Sequence, residues 1–274
     1  MDPTPRTLLF AHANGFPAGS YRVLFDAWQA AGWQVLAPPM FGHDARYPVS
    51  SNWPHLRDEL VDHWRIHAAT RPVWLVGHSL GGFLSLLAAC HHPAMACGVV
   101  LLDAPIIGGW RAHSVRVMKA SGLIGSASPG KASRRRRTHW DSAAAAHAHF
   151  AAKPVFARWD PRVLHDYVDA GTLPDPDGGV RLGFDRSIET RIYDSLPHHF
   201  DALLRRHPPQ CPVAFIGGRQ SDEVHRVGLL QTRRVVGPRL RWLEGSHLFP
   251  MEHPDATAAA VLTELAAMPT EMRQ

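Results

Sequence analysis

A serine hydroxyl becomes a nucleophile only when a base removes its proton and nearby amides receive the charge that develops on the substrate oxygen. Ser79 is placed for both. It lies in Gly77-His78-Ser79-Leu80-Gly81, after the apolar run Val73–Val76 and before the apolar, helix-like segment Phe83–Ala89. A serine on a sharp strand-to-helix turn needs small residues two before and two after it, and Gly77 and Gly81 supply that clearance. The same turn puts the Leu80 amide at a helix start, where unpaired N–H groups and the helix dipole favour an oxyanion. A phosphate loop is the competing reading of such a turn, and it fails because neither G-x-G-x-x-G nor a G-K-S/T ending is present.

The base must come from elsewhere in the chain. His247, in Glu244-Gly245-Ser246-His247-Leu248, follows the apolar run Leu240–Leu243, so parallel strands would deliver its imidazole to the edge that carries Ser79. Among 19 histidines it is the one at the carboxyl end of the last candidate strand. An imidazole in that role needs a carboxylate to fix its tautomer and stabilise its cation. Two positions compete. Asp222, after the run Pro212–Gly218, is favoured because the usual chain order puts the acid one strand before the histidine. Asp103, which ends the run Val99–Leu102, is the alternative; its other reading is a strand-end carboxylate bonded to loop amides. Glu223 stands behind both.

A second oxyanion donor is expected from Phe10-Ala11-His12-Ala13-Asn14-Gly15-Phe16, through the amide of Asn14 or a neighbour, with His12 as a packing and hydrogen-bonding residue of that loop. His91-His92, His198-His199 and His147-x-His149 lack acidic or cysteine partners at ligand spacing, so no metal site is expected. The chemistry requires no cofactor.

The elements that must position these residues are legible as an alternation. Short apolar runs at Thr7–Ala11, Gln34–Ala37, Val73–Val76, Gly98–Leu102, Val213–Ile216 and Leu240–Leu243 read as strands. Helical spacing follows at about Gly19–Ala31, His55–Ala69, Leu80–His91, Glu223–Val235 and Pro254–Ala267. Strands apolar on both faces and separated by helices predict an α/β fold with a mostly parallel sheet of about six strands, helices on both faces, and functional groups at the strands' carboxyl ends.

The alternation stops between Ile106 and Pro209, where no clear strand is visible. Helical fragments at Val115–Lys119, Ala143–Ala152, Pro161–Asp169 and Ile188–Leu204, with turn clusters at Ser126–Gly130 and Pro174–Gly179, predict a helical lid over the strand ends. The organisation is therefore a core of residues 1–105 and 210–274 with a cap of 106–209. Trp110, Arg111, Trp140, Trp159 and His199 are the cap's candidates for lining a pocket.

Composition bounds the rest. A 45% hydrophobic share in 274 residues excludes wholesale disorder. Cys90, Cys97 and Cys211 are odd in number and widely spaced, which argues against a disulfide framework or a zinc ribbon and for a reducing compartment. The first apolar run is too short for a signal segment or a membrane span, so a cytoplasmic location without a transmembrane segment is expected. Part of the net charge of +5 sits in Arg134 to Arg137. With no nucleic-acid module or stacking pattern beside it, this run reads as a solvated face or loop and not as a nucleic-acid site.

Taken together these motifs resemble the α/β-hydrolase superfamily of esterases, lipases, thioesterases and carbon–carbon bond hydrolases. Its H-G loop resembles His12-Ala13-Asn14-Gly15, and its D-x-x-G-H-G resembles Pro39-Met40-Phe41-Gly42-His43-Asp44. Its histidine loop with a downstream E-x-P resembles Gly245-Ser246-His247 through Glu252-His253-Pro254. The resemblance implies an eight-stranded sheet with a lid inserted after the sixth strand. With six residues before the first run, the two leading strands are expected to be missing. Ala13 and Pro39 depart from the family's glycine and aspartate, and some relatives take their acid from the position of Asp103. The function expected is hydrolysis of an ester-like bond in a small molecule through an acyl-enzyme on Ser79. The alternative is a non-catalytic member of the fold that binds a ligand or partner.

Overall fold

Runs that are apolar on both sides are stable only between two layers, and the chain provides both. A computed structural model of the chain describes residues 6–120, 133–134 and 136–269. Six strands form one sheet: β1 (Arg6–Ala11), β2 (Trp33–Leu36), β3 (Val73–His78), β4 (Ala96–Leu102), β8 (Val213–Gly218) and β9 (Leu240–Leu243). Their order is β2-β1-β3-β4-β8-β9, every pairing parallel. The inner strands β3 and β8 are buried throughout, whereas the edge strands β2 and β9 are only partly covered. The predicted sheet is therefore present.

Successive side chains go to opposite layers. Leu9, Leu75, Val99, Leu101 and Phe215 share a core with Leu56 and Leu60 of α2 (Pro54–His67) and Leu84 and Leu87 of α3 (Leu80–His91). Leu8, Phe10, Val76, Val100 and Ile216 share the other core with Leu24 and Trp28 of α1 (Arg22–Ala30) and Val261 and Leu265 of α11 (Pro254–Ala267). Trp28 also donates its indole N–H to the Ala258 carbonyl at 3.2 Å, joining the two helices of that layer.

The chain leaves β1 toward β2 on one side and returns to β3 on the other. That reversal opens a crevice at the carboxyl ends of β1 and β3, the usual ligand position in open parallel sheets. The Ala11–Phe16 loop and Ser79 both emerge there.

Between β4 and β8 lie α4 (Gly109–Ala120), β5 (His139–Trp140), α5 (Ala143–Ala151), α6 (Pro161–Gly171), β6 (Thr172–Pro174), β7 (Val180–Leu182), α7 (Arg186–Asp194) and α8 (Phe200–Arg206). Side-chain oxygens of Ser142, Asp160 and Asp185 cap the first turns of α5, α6 and α7. Three features differ from the sequence reading. The insertion carries an antiparallel sheet of order β5-β7-β6, whose strands of two or three residues are too short to show a period. The Ile188–Leu204 fragment is two helices, interrupted around Pro197, which cannot continue the hydrogen-bond ladder. The Glu223–Val235 segment is likewise two, α9 (Asp222–Val227) and α10 (Leu230–Val236), because Gly228 turns the chain at φ +72°. The Ser126–Gly130 cluster lies outside the described residues.

The insertion's aromatic residues Trp140, Phe150, Phe156, Trp159 and Tyr167 belong to the same buried cluster as Phe10 and Tyr21 of the core. It is therefore packed as part of the molecule's interior.

Helix α3 approaches the sheet so closely that a Cβ on Gly81 would stand 1.9 Å from the Ala11 carbonyl oxygen, and one on Gly77 would stand 2.2 Å from that of Gly81. Gly81→Val is expected to destabilise the fold by about 3 kcal/mol through overpacking, read as a lower urea midpoint. Gly171→Ala, whose new Cβ meets nothing within 4 Å, should leave the midpoint unchanged or slightly raised.

Candidate active site

Ser79 links β3 to α3 at φ +52° and ψ −112°, a conformation that costs a non-glycine residue roughly 1–3 kcal/mol. The turn is held from both sides. Its amide donates to the Leu102 carbonyl of β4 at 2.9 Å, and its carbonyl accepts from the Phe83 amide at 3.2 Å. Leu80 is the first residue of α3, so its N–H has no carbonyl one turn back to bond with.

The hydroxyl of Ser79 reaches Nε2 of His247 at 3.0 Å. On the other side of the ring, Nδ1–H donates to Oδ1 of Asp103 at 2.9 Å. A carboxylate only accepts, so this bond puts the ring proton on Nδ1 and leaves Nε2 free to take the serine's. Asp103 is completely buried, and its backbone also adopts a positive φ of +44°. It accepts the Gly218 amide at 2.7 Å and the Ser221 hydroxyl at 2.5 Å. It therefore accepts from a loop amide, a serine hydroxyl and the imidazole at once.

Asp222, favoured from chain order, is not the partner of His247. It opens α9, and its side chain is exposed at the rim of the cavity, whereas Ser221 before it turns inward to Asp103 and caps the helix. Glu223 comes nearer, with Oε2 3.9 Å from Nδ1, but it is 42% exposed and makes no short bond.

Burial would lower the His247 pKa, but the hydrogen bond and charge of Asp103, with Glu223 adding to them, outweigh it and hold it above the ordinary value of 6.5. The loop that carries His247 is fixed by Glu252, whose buried carboxylate accepts the Ser246 amide at 2.8 Å and its hydroxyl at 2.7 Å. Gly245 is required there, since a Cβ would lie 2.6 Å from Oε2 of Glu252. The E-x-P motif flagged Glu252 without giving its task. Nothing in the sequence marked Gly218 or Ser221.

A profile of the alpha/beta hydrolase family matches residues 8–260. The chain belongs to that family. Mouse monoglyceride lipase is 30% identical over 128 residues, which are 44% of this chain and 42% of that enzyme, and human monoglyceride lipase is 33% identical over 107 residues. The matched region thus spans under half the length of these relatives. Among solved structures, E-2-(acetamidomethylene)succinate hydrolase superposes with a TM-score of 0.72 at 20% identity, covering 96% of this chain and 91% of that one. The thioesterase domain from the curacin biosynthetic pathway gives 0.71 at 20% identity, covering 95% and 92%. At such identity the likeness is one of fold.

In this family member the loop after β1 is engaged at both its histidine and its asparagine. His12 donates from Nδ1 to the Ala13 carbonyl at 2.8 Å and accepts the Phe41 amide on Nε2 at 3.0 Å. Burial first, against the help of the Ala13 bond, pushes its pKa down to about 4, so it stays neutral and structural. Asn14 is buried, and its side-chain amide donates to the Glu189 carbonyl of α7 at 2.9 Å. Ala13 and Phe16 already spend their amides, on Tyr21 Oη and the Ala13 carbonyl respectively.

Glu189 is also where one residue of the arginine run departs from the solvated reading, which Arg134 and Arg137, both exposed, fit. Arg136 is not solvated: at 13% exposure its guanidinium pairs with Glu189 at 2.9 Å and donates to the Tyr167 hydroxyl. Tyr167 and Glu189 both come from the insertion, so this cation is spent locally. Arg134 faces Asp194 at 3.6 Å, Arg137 stacks 5.8 Å from the Trp140 ring, and Arg135 lies outside the described residues.

A cavity of about 460 Å³ opens on Ser79 and His247, with Asn14, Tyr193, Glu223 and Leu248 among its walls. The insertion lines it with Pro154, Val155, Arg158 and Tyr193, whereas Trp140 and Trp159 are buried in the aromatic cluster and His199 stacks on Phe200. The side chains of Trp110 and Arg111 lie outside the description. A larger cavity of about 640 Å³, between α8 and α10, contains none of these chemical groups, so size does not identify the site.

Asp103→Asn removes the negative charge that helps raise the His247 pKa and puts an N–H donor where one carboxylate oxygen now accepts. Its titration, followed by histidine NMR and assigned with a His247→Gln difference spectrum, should move to lower pH. Asp222→Asn should leave it in place.

Proposed function

We propose that this chain is a serine hydrolase that cleaves an ester-like bond of a small molecule through an acyl-enzyme on Ser79. The observation that carries the reading is the unbroken sequence Ser79 Oγ to His247 Nε2 at 3.0 Å and His247 Nδ1 to Asp103 Oδ1 at 2.9 Å. In this scheme His247 takes the hydroxyl proton as Ser79 Oγ bonds to the carbonyl carbon, and buried Asp103 stabilises the imidazolium that results. The amides of Leu80 and Asn14 receive the charge on the carbonyl oxygen. Collapse of the tetrahedral species expels the leaving group, which takes the proton from His247. Water then adds to the acyl-enzyme with His247 again as base, and Ser79 is regenerated.

Residues 106–209 serve as the cap and residues 1–105 with 210–274 as the core. The name of the mouse relative points to esters of a polyol, and the lining agrees with a polar substrate. Asp222, Glu223 and Arg158 stand at a cavity of about 460 Å³, near the small end of the ligand-site range of roughly 300–1,000 Å³. Short esters bearing a polar group fit this volume better than long acyl chains. Arg136, spent on Glu189, is not available to a nucleic-acid backbone. No helix of the described residues is long and apolar enough to cross a membrane, and Cys90, Cys97 and Cys211 are unpaired, as suits the cytoplasm.

Ser79→Ala should abolish hydrolysis of a short p-nitrophenyl ester while leaving the circular dichroism spectrum intact. A fluorophosphonate probe should label wild type and not this variant. An unlabelled wild-type serine would instead support a ligand-binding protein. His247 must be neutral to act, and its pKa is raised, so kcat/KM should climb with pH with a midpoint above the ordinary 6.5. A midpoint below 6.5 would remove His247 from the role of base.

A further inference from the structure

Asp103 orients the His247 ring and Glu252 holds Ser246 before it, and a further contact reaches the His247 backbone itself. That contact comes from behind Ser79, through two side chains that the chemistry above does not use. Tyr21 and His78 are both completely buried. The Ala13 amide of the oxyanion loop donates to Tyr21 Oη at 3.2 Å. Tyr21 Oη lies 2.7 Å from Nδ1 of His78, and Nε2 of His78 lies 2.9 Å from the backbone carbonyl of His247.

The direction of this chain is fixed from its ends. A backbone amide can only donate and a backbone carbonyl can only accept. Nε2 of His78 therefore carries the ring proton and gives it to His247, Nδ1 is bare, and the Tyr21 hydroxyl donates to it while accepting from Ala13. One tautomer and one rotor satisfy every group, so each bond requires the others.

We propose that His78 and Tyr21 are positioning residues that hold the oxyanion loop, the nucleophile strand and the base loop in register through this single buried chain; the proposal rests on the hydrolytic reading of Ser79. His78 immediately precedes the nucleophile, so whatever moves the His247 backbone moves it relative to Ser79 itself. The ring that does this must not compete for charge with the base, whose ring centroid is 5.2 Å away. It does not: burial, and then repulsion from His247, push the His78 pKa down to about 3. Burial likewise raises that of Tyr21, which keeps its proton. A leucine at position 78 would fill the space and leave the His247 carbonyl without this donor and the Tyr21 O–H without its acceptor. A glutamine would restore an N–H close to where Nε2–H now donates.

The test compares full-length wild type with His78→Leu, His78→Gln and Tyr21→Phe, using a fluorophosphonate probe and a short p-nitrophenyl ester. Labelling of Ser79 in wild type is the first reading; its failure rejects the hydrolytic assignment itself. With labelling established, His78→Leu should lose about 10²-fold in kcat, the cost of misplacing a reacting group by about an ångström, with KM near wild type. Its acid limb should move to lower pH as His247 loosens from Asp103. His78→Gln should recover most of the loss, and Tyr21→Phe should lose about tenfold, the rate equivalent of one hydrogen bond. Folded His78→Leu and Tyr21→Phe with wild-type kcat and an unmoved limb would overturn the proposal. Should His78→Leu fail to fold, Tyr21→Phe, which preserves the ring, decides alone: wild-type kcat in it rejects the chain.

Discussion

A carboxylate that no water reaches must find its hydrogen bonds inside the protein, because leaving even one ionised group unsolvated costs several kcal/mol. Asp103 meets that demand with the Gly218 amide, the Ser221 hydroxyl and His247 Nδ1. Each of these donors sits on a different stretch of chain, and each is held there for the sake of the carboxylate as much as the reverse. Gly218 ends β8, Ser221 caps the helix that follows, and His247 hangs from β9. The backbone of Asp103 itself is turned to a positive φ, with its amide on the Ile216 carbonyl at 2.9 Å. The carboxyl ends of three adjacent strands are thereby locked around one negative charge, and the imidazole that meets Ser79 is aimed by that lock.

How much of this could be read from the sequence depended on how local the cause was. The elbow at Ser79 is written within five residues, because the glycines are required by contacts the turn makes with itself and with β1. The inner strands were legible for a similar reason, since a strand buried on both faces has no freedom to be polar. Which of the two named carboxylates meets His247 was not legible. Asp103 and Asp222 both follow strands that neighbour each other, and only the turn after β8 decides that Ser221 points inward and Asp222 outward. His78 was visible merely as the variable position of G-x-S-x-G, and Tyr21 carried no signal, since a buried tyrosine near an α1 start looks like any core aromatic. In the insertion, β5 to β7 are too short for a period, and the charge run Arg134 to Arg137 hid a buried cation because a partner 53 residues away, Glu189, is invisible to local pattern.

The partner of that cation shows how the insertion is coupled to the core. Arg136 and Glu189 are both nearly out of solvent, and losing one partner of such a pair typically costs about 3–5 kcal/mol, since the other charge is left stranded. The Glu189 carbonyl meanwhile holds the side chain of Asn14, and a Cβ on Gly15 would collide with the Glu189 carboxylate at 2.8 Å. His43, accepting the Asp185 amide at 2.9 Å, ties the N-cap of the same helix to the loop after β2. The covering segment is thus fastened at the very loop proposed to hold the oxyanion, and its position bears on chemistry as well as on access.

The sheet order has a last consequence. Among the described residues β9, like β2, has a sheet neighbour on one side only, so His247 is suspended from an edge strand, whereas Ser79 and Asp103 leave strands flanked on both sides. Local opening free energies in a folded protein are lowest where backbone bonds are few and exposed. Fraying at that margin would disarm the molecule while its interior remained intact. Warming or mild denaturant would then silence the protein before any spectroscopic sign of collapse, and recovery on cooling would be quick, because only one border of the sheet has to zip closed again.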